Sequence, residues 1–202
     1  MRSEFEIVNN VLVKYNGKDP SPIIPNGIIE IATSAFAKNP KIESITIPDS
    51  VKKIQGAAFS ECKRLTSVYM PDSVEEIGDY LFCNSEKLKE VRLSDNLRYI
   101  NKFTCCGCKS LEKVNFPKKL YSIERSAFIS CAITEAILPE GLEYILNKAF
   151  SNCKSLTTVR YPSTIFAVAT DAFSFCDDKK LNVVYPPNLP PARAHNGMAF
   201  FG

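Results

Sequence analysis

Residues 65–82 read LTSVYMPDSVEEIGDYLF, and a related pattern follows at residues 88–105 as LKEVRLSDNLRYINKFTC. Both segments pass from an apolar residue through an alternating stretch to a turn that begins at Pro71 or Ser94. This turn position recurs along the chain at spacings of 23, 23, 23, 23, 22, 23 and 24 residues. Its members are Pro25, Pro48, Pro71, Ser94, Pro117, Pro139, Pro162 and Pro186. Such a period indicates a solenoid, in which each coil packs against its neighbours.

Six positions of the repeat are apolar in nearly every copy, and their side chains are expected to face the core. One of these positions is aromatic. It holds Phe36, Phe59, Phe82, Phe128, Phe150 and Phe173. Cys105 stands at this position in the fourth repeat, which is therefore expected to be the weakest of the series.

Each repeat also contains a strand signal. In residues 67–70, Val68 and Met70 alternate with Ser67 and Tyr69, as a strand with one buried face requires. Other segments have apolar residues too close together for a strand, and we interpret them as short helical turns. These segments are residues 34–37, 79–83 and 126–129. The expected fold is an α/β repeat solenoid, a right-handed coil stack with a parallel β-sheet on one face and short helical turns opposite.

The repeat resembles the BspA-like leucine-rich repeat, whose consensus is approximately Leu-x-x-Val-x-Leu-Pro-x-x-Leu-x-x-Ile-x-x-x-Ala-Phe-x-x-Cys. Residues 65–82 and 156–173 fit this pattern, and the resemblance extends to about Pro186. One residue is missing between Cys131 and Ile133, and one is added between Cys176 and Leu181. We expect both length changes to fall in loops.

The chain of 202 residues is expected to form one repeat domain. We divide it into a hairpin-like N-terminal cap at residues 1–22, repeats at 23–186, and a Pro-rich tail or cap at 187–202. The net charge of +3, from 25 basic and 22 acidic residues, indicates neither a nucleic acid partner nor an anionic membrane. We expect a monomer that does not insert into a membrane.

Five of the eight cysteines share one repeat position, namely Cys62, Cys108, Cys131, Cys153 and Cys176. A small polar side chain at this position can bond the turn backbone, which predicts a buried ladder of free thiols. Two alternatives remain. Cys83 lies one period before Cys106, so a disulfide between them is conceivable. The cluster at residues 105–108 could bind zinc, although its cysteines point in different directions, and we predict no metal.

Catalysis is not predicted, and neither is a cofactor. The one histidine, His195, lies in the tail, away from any serine or cysteine that the repeat would place beside it. The sequence contains no glycine-rich phosphate-binding motif.

The outward-facing positions of the predicted strands form the candidate binding surface. Tyr69, Arg92 and Arg160 are residue types that often anchor protein interfaces, and they recur at one repeat position. Thr46 and Asn115 occupy the same position in other coils. We predict that these five residues contact a protein partner.

The resemblance implies a cell-surface or secreted adhesion protein that binds extracellular matrix or another cell's surface proteins. Met1 is not followed by the pattern of a secretory signal peptide, in which a basic stretch precedes an apolar stretch and small residues. The sequence also has no run of 18 apolar residues, so we expect neither a secretion signal nor a membrane span in this chain. A cytoplasmic scaffold or adaptor is therefore the alternative, and unpaired cysteines suit it. A structural spacer within a larger protein is a further alternative.

Overall fold

The computed structural model describes residues 4–187, 193–195 and 197–201. The regular elements in these residues are short β-strands. They are β1 (Phe5–Val8), β2 (Val11–Tyr15), β3 (Glu30–Ile31), β4 (Lys53–Ile54), β5 (Ser67–Tyr69), β6 (Glu76–Ile77), β7 (Glu90–Arg92), β8 (Tyr99–Ile100), β9 (Lys113–Asn115), β10 (Ser122–Ile123), β11 (Glu135–Ile137), β12 (Tyr144–Ile145), β13 (Thr158–Arg160), β14 (Ala167–Ala169), β15 (Asn182–Val184), β16 (Arg193–His195) and β17 (Met198–Phe200).

The coils contribute strands to two parallel ladders. The first ladder consists of three-residue strands and forms the sheets β5-β7-β9 and β11-β13-β15. The second ladder runs through β2, β3, β4 and β6, and then through β8, β10, β12 and β14. Equivalent residues of consecutive coils are paired in both ladders, as with Val68 and Val91 or Ile31 and Ile54. The predicted parallel β-solenoid is therefore confirmed.

The predicted short helical turns are wrong. Residues 34–37, 79–83 and 126–129 form turns, and no helix occurs anywhere in the described ranges. Tyr80 has a φ of 61°, which is incompatible with a right-handed helix. The next aromatic residue, Phe82, donates its backbone N–H to the carbonyl of Thr104 in the following coil at 2.7 Å. Bonds between coils thus replace the bonds that a helix would make within itself.

The core contains the predicted aromatic column, in two stacked segments. Ring centroids are 5.2 Å apart for Phe36 and Phe59, 5.6 Å for Phe59 and Phe82, 5.3 Å for Phe128 and Phe150, and 5.3 Å for Phe150 and Phe173. Cys105 is fully buried between the two segments. Because a thiol fills less space than a ring, the fourth coil interrupts the stack at this point.

Additional strands cover both ends of the ladders. At the N-terminal end, β1 and β2 form an antiparallel hairpin whose turn residues, Asn9 and Asn10, have positive φ angles of 50° and 63°. The ring of Tyr15 lies 5.3 Å from that of Phe36 and so extends the aromatic column. At the other end, β17 pairs antiparallel with β14, and Phe201 is buried. Of the predicted tail, residues 188–192, 196 and 202 lie outside the described residues, as does the side chain of His195.

Each ladder is interrupted once near the fourth coil. The second ladder breaks between β6 and β8, where the side-chain amide of Asn101 donates to the carbonyl of Ile77 at 2.8 Å and bridges the gap. The first ladder breaks between β9 and β11. The two breaks are offset by one coil, so one ladder remains paired wherever the other is interrupted.

Candidate functional site

The candidate site is the strand face, which we define as the outward side chains of the first ladder. Backbone pairing aligns four of the five predicted residues in one continuous row, with Thr46 beside Tyr69, Tyr69 beside Arg92, and Arg92 beside Asn115. Arg160 lies beyond the break, in the sheet β11-β13-β15, where it pairs with Ile137 and Val184. The predicted row therefore exists, but it is divided between two sheets.

Arg92 is held in place by three groups. Its guanidinium donates to the carbonyl of Met70 at 3.0 Å and to both carboxylate oxygens of Asp72 at 3.2 Å each. It also lies 4.6 Å from the ring centre of Tyr69. These hydrogen bonds hold the pKa of Asp72 below its usual range. Since Asp72 offsets its charge, Arg92 presents a fixed planar surface more than a free cation.

Tyr69 is the most prominent aromatic residue of the strand face. Its side chain is 63% exposed, although it packs against Arg92 on one side. An exposed ring whose orientation is restricted by a neighbour loses little conformational entropy when a partner binds. This geometry is well suited to an interface anchor.

Asn115 and Thr46 differ in how much of their side chains a partner could contact on the strand face. The side-chain oxygen of Asn115 accepts a hydrogen bond from the Leu93 N–H at 2.6 Å, and its amide donates to the Leu93 carbonyl at 3.1 Å. Asn115 is therefore committed to the backbone at the end of β7 and is only partly exposed. Thr46 is exposed at the edge of the row. The polar atoms of the Asn115 side chain are thus already bonded, whereas the exposed hydroxyl of Thr46 is available to a partner.

Arg160 is an exposed cation without an ion pair among the described residues. It borders a shallow depression of about 290 Å³, together with Glu140 and the 53% exposed ring of Tyr185. In contrast to Arg92, Arg160 keeps its charge and its donors free for an acidic or carbonyl group.

A larger cleft of about 620 Å³ opens on the strand face at the break in the first ladder. Its lining includes Tyr69 and Arg92 on one side, and Thr134, Glu135 and Ile137 on the other. Ile137 is an apolar residue at an outward position, and it lines the cleft while remaining 46% exposed. The cleft thus joins the predicted contact residues of the first sheet to the neighbouring strand β11.

Five buried cysteines form a ladder along the coils. Each thiol donates to a backbone carbonyl of the preceding coil at 3.1 or 3.2 Å. The pairs are Cys62 with Phe36, Cys108 with Phe82, Cys131 with Cys105, Cys153 with Phe128, and Cys176 with Phe150. Burial raises the pKa of Cys62 to about 11 and that of Cys153 to about 12. These thiols are structural donors and poor nucleophiles.

Cys83 and Cys106 occupy a different column and contact each other across adjacent coils. A hydrogen bond from the Cys83 thiol lowers the pKa of Cys106 to about 7 and raises that of Cys83. The same column brings the hydroxyls of Ser151 and Ser174 within 2.9 Å of each other. All eight cysteines are unbridged in this structure. The pair is therefore a free dithiol with one activated member.

Within the described ranges, no group of three or more His, Cys, Asp or Glu side chains is arranged to hold a metal ion. The same residues contain no helix long and apolar enough to cross a membrane.

The comparison with known families agrees with the repeat geometry. The model of the BspA-type leucine-rich repeat region matches residues 15–134 and 121–189, with six copies of the repeat. The chain belongs to the BspA-type leucine-rich repeat family. No curated protein sequence matches this BspA-type chain.

Solved structures with similar folds are bacterial leucine-rich repeat proteins. A protein from Eubacterium ventriosum is 26% identical with a TM-score of 0.85, and the match covers 94% of this chain and 50% of that protein. The T. pallidum leucine-rich repeat protein is 27% identical with a TM-score of 0.59 over 78% of this chain and 68% of its own. A leucine-rich cell surface protein from Faecalibacterium prausnitzii is 25% identical with a TM-score of 0.51, over 84% and 48% of the two chains. This BspA-type chain therefore spans half the length of the Eubacterium protein.

Sequence reasoning missed two features of the BspA-type solenoid. The first is the cleft, whose signal was the residue missing between Cys131 and Ile133. The second is an aromatic row along the second ladder, in which successive ring centroids are 6.1, 5.3 and 5.7 Å apart. The row consists of Tyr99, Tyr121, Tyr144 and Phe166. Its rings alternate between two adjacent repeat positions, so no single column reveals it.

Proposed function

We propose that this chain is a non-catalytic, monomeric protein-binding module whose strand face contacts proteins of a host or a neighbouring cell, as part of a cell-surface or secreted adhesion protein. The observation that carries the proposal is the pairing of exposed Tyr69 with Arg92, which Asp72 holds in position. Rigid aromatic and arginine side chains are the usual anchors of protein interfaces. The resemblance to a leucine-rich cell surface protein from Faecalibacterium prausnitzii supports the location.

A cytoplasmic scaffold or adaptor is the second candidate. The observation that favours it is the set of eight unbridged cysteines, which suits a reducing compartment. The same strand face would then bind an intracellular protein.

The test is capture on the immobilised chain, with extracellular matrix proteins and a lysate of the source cell offered separately. The variant Tyr69→Ala/Arg92→Ala/Arg160→Ala is expected to weaken binding of the captured partner by more than about tenfold. A matched control, Tyr99→Ala/Arg98→Ala/Arg125→Ala, removes the same residue types from exposed positions outside the strand face and is expected to bind normally.

Selective capture of matrix proteins through the strand face supports adhesion, and selective capture of lysate proteins supports the adaptor. Equal loss of binding in both triple variants contradicts the strand face as the contact surface. Recovery of no partner from either source favours a structural spacer.

A further inference from the structure

The break between β9 and β11 leaves backbone groups unpaired at two facing strand edges. In the other coils, the residue before each first-ladder strand donates its N–H to the equivalent carbonyl of the preceding coil. These bonds are Thr66 to Glu43 at 2.9 Å, Lys89 to Thr66 at 2.8 Å, Glu112 to Lys89 at 3.0 Å, and Thr157 to Thr134 at 2.9 Å. In the last coil the donor is Asn182, the first residue of β15, whose N–H bonds the carbonyl of Thr157 at 2.8 Å. The corresponding bond from Thr134 to Glu112 is absent from the described structure.

The far ends of the strands show the same interruption. The N–H groups of Met70, Leu138 and Tyr161 donate to carbonyls of the following coil at 2.9, 3.1 and 3.1 Å. Phe116 occupies the equivalent position after β9, and within the described residues its N–H donates to no acceptor. Backbone donors and acceptors therefore face the cleft at both ends of the break.

Two departures from the repeat lie beside the separated edges. The coil that contains β11 is one residue shorter than the others, between Cys131 and Ile133. The ring of Phe116 leans towards Phe128, at 5.9 Å, beside the place where Cys105 substitutes for a larger residue. Phe116 is consequently only partly buried, whereas its counterpart Leu93 is fully buried. The break lies beside these departures from the repeat and is confined to this face, since β8, β10 and β12 remain paired.

The charges around the cleft indicate what it could bind. Glu90, Glu112 and Glu135 line it, and none of them forms an ion pair among the described residues. The basic lining residues are Lys113 and Arg92, and the charge of Arg92 is offset by Asp72. The lining therefore carries an excess of negative charge, which favours a basic ligand.

We infer that the cleft between β9 and β11 binds an extended, basic segment of a protein partner, which adds a strand to the free edge. This inference rests on the proposed protein-binding function and specifies the partner's chemistry. Main-chain hydrogen bonds supply affinity in such strand addition, and alternate side chains supply specificity. Here Lys or Arg side chains of the segment would meet the three glutamates, and apolar ones would meet Tyr69 and Ile137.

The probe is a displayed library of random peptides of about ten residues, a length that exceeds a typical strand. We expect the enriched peptides to carry Lys or Arg at alternate positions. Their binding to Glu112→Lys/Glu135→Lys should be at least about tenfold weaker, because the charge at the cleft is reversed. The matched control Glu4→Lys/Glu6→Lys makes the same net change at exposed positions of the N-terminal hairpin and should bind within about twofold of the unchanged protein.

Backbone pairing is tested separately from charge. N-methylation of alternate peptide bonds leaves the side chains and charge unchanged but removes donors, so it should weaken binding by at least about tenfold. Bound peptide should also slow hydrogen exchange at the Phe116 and Thr134 amides. Full binding by N-methylated peptide, unchanged exchange at both amides, or no enrichment of basic peptides would overturn the inference.

The outcome is distinguishable from failure of the proposed function. Arg160 does not line the cleft, so Arg160→Ala should leave peptide binding unchanged while it weakens capture of the whole partner. If whole-partner binding depends on the strand face but peptides do not bind, the cleft inference fails and the protein-binding function stands.

Discussion

The guanidinium of Arg92 lies 4.6 Å from the centre of the Tyr69 ring, one coil away and 23 residues earlier in the chain. Asp72 completes the arrangement from the turn that follows Tyr69, where its carboxylate accepts two hydrogen bonds from Arg92. The cluster links consecutive coils on the strand face. It places an exposed aromatic ring against a guanidinium that Asp72 holds in position.

The first prediction concerns the pH dependence of this cluster. Because Arg92 lowers the pKa of Asp72, the carboxylate should remain ionised below the usual range for aspartate. The stabilisation is present above the unfolded-state pKa and is lost as the pH falls through the lower, folded-state pKa. An NMR titration of Asp72 should show this depression, and Arg92→Ala should return the pKa towards about 3.9. Asp177, which is paired with Lys180, is the internal control and should titrate equally in both proteins.

The second prediction tests the aromatic column. Phe82 is fully buried and stacks on Phe59 at 5.6 Å, so Phe82→Ala should lower the free energy of unfolding by about 3 to 5 kcal/mol. Phe175 is 71% exposed, and Phe175→Ala should change stability by about 0.5 kcal/mol or less. Urea denaturation followed by circular dichroism measures both. A similar decrease in the free energy of unfolding in the two variants would contradict the prediction that the buried aromatic column stabilises the core.

The third prediction tests the origin of the cleft. Insertion of one serine after Ala132 restores the spacing found between Cys108 and Leu111 and between Cys153 and Leu156. We expect β11 to pair with β9 in this variant, so that hydrogen exchange at the Thr134 and Phe116 amides slows by at least about tenfold. Insertion of serine after Asn10 lengthens the terminal hairpin turn instead and should leave these amides unchanged. Unaltered exchange in a folded Ala132 variant would show that the missing residue does not cause the break.

The fourth prediction concerns the dithiol. Since the pKa of Cys106 is about 7, its alkylation by iodoacetamide should accelerate as the pH rises through neutrality. Cys83→Ala removes the hydrogen bond that stabilises the thiolate and should move the midpoint upwards, to about 8.5 or above. Mass spectrometry locates the label. Cys153, whose pKa is about 12, should remain unlabelled in the folded protein, and an unchanged midpoint in Cys83→Ala would contradict the proposed activation.

Several features could be predicted from the sequence because they depend only on the repeat. The inward columns, the alternation at Val68 and Met70 and the equivalent positions of Tyr69 and Arg92 all follow from a constant period. The short turns could not be predicted correctly. A left-handed conformation at Tyr80 is unfavourable in isolation and is supported by bonds to the next coil, which lie outside any local sequence window.

For the candidate site, the sequence predicted which residues share a face but not the hydrogen bonds that each side chain makes. Repetition placed Arg92 and Asn115 on one face, but their hydrogen-bond partners differ: Asp72 and Met70 hold the former, and Leu93 holds the latter. These partners are 20 to 22 residues away along the chain, and the repeat pattern does not specify side-chain rotamers. Residues that looked equivalent in the sequence therefore differ in how much they can offer to a partner.

The amino-acid sequence alone establishes the solenoid, its core positions and the family, because a period repeated along the whole chain permits a single way of burying its apolar columns. Tertiary structure decides where the stack is imperfect. A buried Cys105 and one missing residue near Ile133 each alter the chain only slightly. They lie in consecutive coils beside the break between β9 and β11, where the cleft opens, and strand pairing depends on the distance between coils and not on the composition of either coil.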